Sequence, residues 1–172
     1  ILKEYEIISL KESGIELNAE EIGQTFEQNS KIRAMYLAKY TKEIVLAYSE
    51  GLWIDCLDGF PGIKTYRILG KDATDEERNA YLLRQLEGKD IYQRIAEVVT
   101  AVTVIRDGEI YTATGEIEGY IAEEPKGRNG IGFEPIFDAR GGKTLAEMGT
   151  FEKNRISSLK KAIKKLQRYK VL

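Results

Sequence analysis

The residues from Glu124 to Ser157, EPKGRNGIGFEPIFDARGGKTLAEMGTFEKNRIS, set two glycine-rich loops around one aromatic and one acid, then follow them with a lysine that leads into a helix. Such a set can grip a planar ligand. Gly127, Gly130 and Gly132 let backbone amides come close to it, Phe133 offers a ring face, Glu134 an acceptor and Lys153 a mobile cation. The same letters also describe a glycine-rich hairpin around a core phenylalanine, and a glycine motif alone does not choose between the two.

Composition narrows the chemistry. The chain has no histidine, which removes the commonest general base and the commonest transition-metal ligand. Catalysis must then run on carboxylates, lysines and a hard cation. The formal charge of −2 and pI near 5.5 give no global reason to bind polyanions, so nucleic acid is not an expected partner. No apolar run reaches the ~20 residues of a membrane span and no signal peptide opens the sequence. A cytoplasmic protein without a membrane partner is expected. The single cysteine, Cys56, has no intrachain disulfide partner and lies in the apolar run LWIDCL, which predicts a core position. Abundant Lys, Arg and Glu beside few Met fit a thermophile.

The 172 residues, 42% apolar and 31% charged, suit one compact domain with a sizeable core. YEIISL at 5 to 10, EIVLAY at 43 to 48 and LWIDCL at 52 to 57 read as buried strands. Thr25 with Gln28 predicts a capping box for a helix whose inner face is Phe26, Ser30, Ala34, Leu37 and Ala38, which puts Glu20 and Glu21 in the loop before it. Thr74 with Glu77 announces a second helix, carrying Leu82, Leu83 and Leu86 and stopping at Gly88. EVVTAVTVIRDGEIYTATG predicts a hairpin turning at Asp107 and Gly108. A last helix over 154 to 169 turns Ile156, Leu159, Ala162, Ile163 and Leu166 inward and five cations outward, a pattern usual for a solvated face. Interleaved strands and helices with a late hairpin make the class α/β with a mixed sheet. Such sheets carry ligands in a crevice at strand ends, where the loops 18 to 25, 47 to 51, 59 to 67 and 126 to 134 are expected.

EEIGQTFEQN at 20 to 29, GLWIDCLDGFPGIKTYR at 51 to 67, GRNGIGFEPIF at 127 to 137, KTLAEM at 143 to 148 and EKNRIS at 152 to 157 together resemble, in order and spacing, the inosine/xanthosine triphosphate pyrophosphatases, the Ham1-like house-cleaning family. The resemblance covers essentially the whole chain, and five ordered blocks are far more specific than any one of them. It implies a single Ham1-like domain over 1 to 172, an elongated mixed sheet flanked by helices, two lobes with a central cleft, and a homodimer. It also implies hydrolysis of dITP, ITP or XTP to the monophosphate and pyrophosphate with Mg²⁺.

On that resemblance Glu21 matches the metal-associated glutamate of the EExG segment. Arg33 stands where the family has a phosphate-facing lysine, and Arg67 matches the arginine after the PG turn. Phe133 corresponds to the base-stacking aromatic, Glu134 to the acid of the FGYDP motif, and Lys153 and Ser157 to positions that edge the base. Each charged residue among these also reads as an ordinary surface group.

The sequence departs from the family at four places. Where the family has two aspartates in ADDSGL, this chain reads Tyr48 and Ser49, with Glu50 in the serine place. Ser157, Ser158 and Leu159 stand for SHR, which removes the histidine and arginine donors that read O6. Ile131 replaces the first phenylalanine of FGYDP. The strand and asparagine-lysine loop that open the family's fold do not precede Ile1, and ILKEY reads as the tail of the helix after that loop, so a truncated chain is expected.

Two functions stay open. One is a divergent pyrophosphatase in which Glu21 and Glu50 serve Mg²⁺ and catalysis. The other is a catalytically impaired nucleotide-binding homologue acting as a structural dimer. A nucleic-acid module using the basic last helix is disfavoured by the acidic pI.

Overall fold

The computed structural model describes residues 1–16, 22–139 and 141–172. Local signals account for most of the elements. α1 (Leu10–Ser13) starts because the Ser9 amide and hydroxyl both donate to Glu12, which also holds the Glu12 carboxyl below the usual carboxylate range. α2 (Phe26–Leu37) is capped by the Thr25 hydroxyl, which accepts from the Gln28 amide at 3.2 Å. The other half of the predicted box is redirected: Gln28 Oε1 accepts from the Gln24 amide instead. α3 (Asp75–Gln85) has the full Thr74–Glu77 box. Asp107 and Gly108 both take positive φ, the type I′ geometry that joins β2 (Ile95–Arg106) to β3 (Glu109–Ile121).

The α/β class is as expected: β1 (Val45–Ile54), β2, β3 and β4 (Phe137–Asp138) form one sheet in the order β1-β2-β3-β4. β4 runs antiparallel to β3, with Ile121 opposite Phe137. Among the described residues no helix is long and apolar enough to cross a membrane.

Several local expectations are corrected. Residues 5 to 10 form no strand; Ile7 and Ile8 are exposed, and the Ser9 cap draws the chain into α1. ILKEY is a turn, not a helix tail. The two strands expected at 43 to 48 and 52 to 57 are one, β1, and the loop expected at 47 to 51 lies inside it. The buried face changes phase at Gly51 and Leu52, which breaks the period in the sequence without breaking the backbone. Residues 55 to 57 leave the strand as a 3-10 turn, and Cys56 is exposed there rather than in the core. The last helix is two, α4 (Thr150–Ile156) and α5 (Ser158–Arg168), parted at Ser157 by an extended ψ of 124°.

The chain forms two compact units. The first holds Ile1–Glu50, Thr100–Gly115 and Ser158–Leu172. In it α5 buries Ala162, Ile163 and Leu166 with Val102 and Val104 of β2, while Ala34 of α2 packs with Val45 and Ala47 of β1. The second holds Gly51–Val99 and Glu116–Ser157. Its core joins Leu52 and Ile54 of β1, Leu82 and Leu86 at the end of α3, Ile117 and Ile121 of β3, and Phe133, Ile136 and Phe137. Each such fully buried side chain contributes about 1.5–3 kcal/mol.

Arg94 is buried in the second unit. Its guanidinium donates to the carbonyls of Leu86 (2.8 Å), Lys89 (3.1 Å) and Ala122 (3.0 Å), tying the end of α3 to the end of β3. Arg94→Leu strands those acceptors without donors and is expected to cost about 3 kcal/mol. Urea unfolding measures it; an unchanged midpoint would show that water or neighbouring groups take over the carbonyls.

Candidate functional site

The glycine loop of the second unit is shaped by its own chain. Gly127 takes φ +87°, and a Cβ there would overlap the Ala146 backbone, so this glycine is needed for loop-to-loop contact. The Asn129 amide donates to Ala146 O at 2.9 Å. α3 holds the other end of the loop. Asp75 Oδ2 accepts from the Gly132 amide at 2.8 Å and Asn79 Nδ2 donates to Gly132 O at 2.9 Å. Neither residue was singled out from the sequence; Asp75 lies 57 positions from its partner, and its place in a helix's first turn reads only as a capping feature.

Lys153 and Glu134 are brought together. Lys153 Nζ lies 2.7 Å from Glu134 Oε2 and donates to Asn129 O at 2.5 Å; the two side chains are about one-fifth exposed (23% and 21%). Glu134 Oε2 also accepts from the Ile131 amide at 3.0 Å. A cation donor and a carboxylate acceptor thus meet at the loop, each holding the other, with one loop amide and one loop carbonyl in the same network. α4 supplies the lysine because Glu152 caps the Gly149 amide at 2.9 Å and starts the helix there.

Phe133 is only 4% exposed and belongs to the core; its ring lies 6.0 Å from that of Tyr66. The core reading of its ring is therefore realised, while Tyr66 beside it is 45% exposed. Ile131, in the place of the family's first FGYDP aromatic, is 79% exposed. Arg67 is exposed, and its Nη2 donates to Ile63 O at 2.9 Å. Ser157 forms the C-terminal cap of α4, its amide on Lys153 O at 2.9 Å.

In the first unit, Arg33 of α2 donates to Tyr48 O of β1 at 2.6 Å. Glu50, half-buried on β1, receives the Thr100 hydroxyl on Oε2 at 2.6 Å, and Ser158 Oγ lies 3.5 Å from the same oxygen. Of the two residues in the aspartate places, Ser49 is buried and Tyr48 is 46% exposed. Glu21 lies outside the described residues, as does Glu20. Among the described residues no group of three or more His, Cys, Asp or Glu is placed to hold a metal ion.

The model of the Ham1 family matches residues 1–169. The chain belongs to the Ham1 family. A relative from Caldanaerobacter subterraneus subsp. tengcongensis, named dITP/XTP pyrophosphatase, is 42% identical over 166 residues, covering 95% of this chain and 83% of the relative. One of the same name from Bacillus subtilis is 40% identical over 166 residues, with 95% and 84% covered. Among solved structures, the Staphylococcus aureus Ham1 protein superposes with a TM-score of 0.88 at 32% identity, covering 98% of this chain and 88% of that one. A Mycobacterium abscessus structure described as a nucleoside-triphosphatase / dITP/XTP pyrophosphatase gives 0.77 at 34% identity, with 92% and 85% covered.

Proposed function

We propose that this protein hydrolyses the non-canonical purine triphosphates dITP, ITP and XTP to the monophosphate and pyrophosphate. The observation that carries this is the Lys153–Glu134 pair at the glycine loop of a chain about 40% identical to proteins of that name. A 6-oxo purine presents an acceptor at O6 and a donor at N1–H, and a lysine beside a glutamate offers the matching donor and acceptor. A 6-amino purine presents the opposite pattern and leaves both groups mispaired. Phe133, buried beside Tyr66, supports the loop against which the base lies, and Ser157 edges it.

Arg33 and Arg67 supply cationic donors for the phosphates. Glu21 and Glu50 serve the divalent cation, Mg²⁺ in this reading. The donor chemistry fits: Mg²⁺ is held through one or two carboxylates together with substrate phosphates rather than by an all-protein cage, and Glu50 offers such a carboxylate held by the Thr100 hydroxyl. Bound there, such a cation would neutralise the triphosphate's charge and lower the pKa of a water positioned for attack at the α-phosphorus. Glu50 keeps its carboxylate orientation through its hydroxyl contacts. The impaired-homologue reading rests on the departures from the family pattern, first among them Tyr48 and Ser49 in the aspartate places. The same reading makes the protein a cytoplasmic homodimer with neither nucleic acid nor membrane as partner.

Anion-exchange chromatography of ITP and XTP reactions with Mg²⁺ tests this at moderate and elevated temperature. IMP or XMP with equimolar pyrophosphate is expected. Orthophosphate alone, or no product at any temperature below unfolding, would overturn it.

A further inference from the structure

Two departures from the family pattern meet in the first unit. Glu50 stands in the serine place of ADDSGL and Ser158 in the histidine place of SHR, and Ser158 Oγ lies 3.5 Å from Glu50 Oε2. Between them stands Thr100 of β2, with its Oγ1 2.6 Å from Glu50 Oε2 and 2.7 Å from Ser158 Oγ.

The direction of this chain is fixed by elementary hydrogen counting. The Thr100 hydroxyl spends its one hydrogen on Glu50 Oε2, so across the 2.7 Å contact Ser158 is the donor, and the Ser158 hydroxyl also donates weakly to the same Glu50 oxygen at 3.5 Å. A series in which each hydroxyl donates toward a charge strengthens each bond in turn. Both hydroxyls are sealed from solvent, Thr100 at 0% and Ser158 at 2% exposure. The seat of Ser158 is built in as well. At Gly115 of β3 a Cβ would overlap Ser158 O and crowd Ala162 N, so glycine there lets the first turn of α5 lie directly on the sheet.

We propose that Thr100 and Ser158 are positioning residues, a buried hydroxyl relay that holds the Glu50 carboxylate oriented for the divalent cation of the reaction. This rests on the proposed function, in which Glu50 serves that cation. The relay gives this chain a local substitute for what the absent aspartate pair would supply, from residues that come from β1, β2 and α5. Its members are 50 to 108 positions apart in sequence.

The test combines steady-state ITP hydrolysis with Mn²⁺ binding, read by electron paramagnetic resonance in the presence of a non-hydrolysable α,β-methylene analogue of ITP. Glu50→Gln, Thr100→Val, Thr100→Ser and Ser158→Ala are compared, with thermal melting as the control for folding. Partners behind a metal-serving carboxylate typically matter by ~10- to 100-fold, so Thr100→Val is expected to lower kcat and weaken Mn²⁺ binding by about tenfold or more with KM for ITP little changed. Thr100→Ser, which keeps the hydroxyl, restores both, and Ser158→Ala gives the same signature more weakly. In the Glu50→Gln background, Thr100→Val adds nothing further, because it acts only through Glu50. A Thr100→Val effect that adds in full to Glu50→Gln would overturn the relay while leaving the proposed function standing. So would unaltered kcat and Mn²⁺ binding in both Thr100→Val and Ser158→Ala. Should Thr100→Val not fold, Ser158→Ala and its cycle with Glu50→Gln decide the matter alone. If Glu50→Gln itself changes neither reading, the role of Glu50 falls and the relay with it.

Discussion

Glu21→Gln is expected to lower Mg²⁺-dependent ITP turnover by ~10²- to 10⁴-fold, the range for losing one catalytic acid-base or metal-serving group, with thermal stability unchanged. A neutral amide keeps the shape of the carboxylate and loses the charge that a hard divalent cation requires. The chain just after it is anchored: the Gly23 amide donates to Asn29 Oδ1 at 3.0 Å and the Gln24 amide to Gln28 Oε1 at 2.7 Å, so this segment enters α2 at a defined place. Glu20→Gln is the matched control, and its turnover should stay near that of the parent. Rates are compared at saturating Mg²⁺, so that weaker binding is not mistaken for lost catalysis. A Glu21→Gln protein as fast as its parent would remove this residue from the site.

How much of this was legible in the sequence depended on how far apart the partners lie. α2, α3 and the hairpin are announced by groups within four positions of one another: Thr25 and Gln28, Thr74 and Glu77, Asp107 and Gly108. Cap and turn chemistry is local, so the letters suffice. The run at 5 to 10 looked like a strand because its apolar residues alternate and cluster, yet a strand needs a neighbour to pair with, and Ile7 and Ile8 find no buried place. The break at Ser157 depends on where the first turn of α5 comes to rest, against Gly115 some forty positions earlier, and nothing in the helical period from Asn154 onward records it. Cys56 is exposed for a related reason: its apolar run ends in a 3-10 turn rather than continuing as a strand.

The candidate site divides the same way. Lys153 and Glu134 came from ordered blocks shared with a family, which carry long-range information that composition and period do not. Asp75 and Asn79, which clamp Gly132, and Thr100, which holds Glu50, were invisible because each sits inside an element with an ordinary local explanation. Asp75 is acidic where a helix start favours acids, and Thr100 is β-branched where a strand favours branching.

Base selection is where the departures act most strongly. A site that hydrogen-bonds its substrate's polar edge rejects mismatched analogues by factors on the order of 10⁴, because wrong partners leave buried groups unpaired. With Ser158 and Leu159 in the places of the family's two donors, the proposed function leaves that leverage mainly to Lys153 and Glu134. Ser158 is committed elsewhere, buried against Thr100, and so cannot replace the lost histidine as a reader of O6. Discrimination of ITP over ATP should accordingly be weaker than the full donor set would give, and Lys153→Ala should remove most of what remains; GTP offers the same O6 and N1–H edge as ITP, so this pair does not separate those two. The substitution takes away the donor and also frees Glu134 Oε2 of its 2.7 Å cation partner, leaving it the Ile131 amide at 3.0 Å. Lys153→Arg separates the two effects, since it restores a cation for Glu134 with a different reach and geometry. The measurement is kcat/KM for ITP, GTP and ATP in the parent and both variants. Expected is a loss of about 10²-fold or more for ITP and for GTP, which shares its O6 and N1–H edge, in Lys153→Ala with far smaller changes for ATP, so that the 6-oxo and 6-amino purines converge. A strong preference for ITP that survives Lys153→Ala would show that the base is read by other donors, and the Lys153–Glu134 pair would then be a latch of the glycine loop alone.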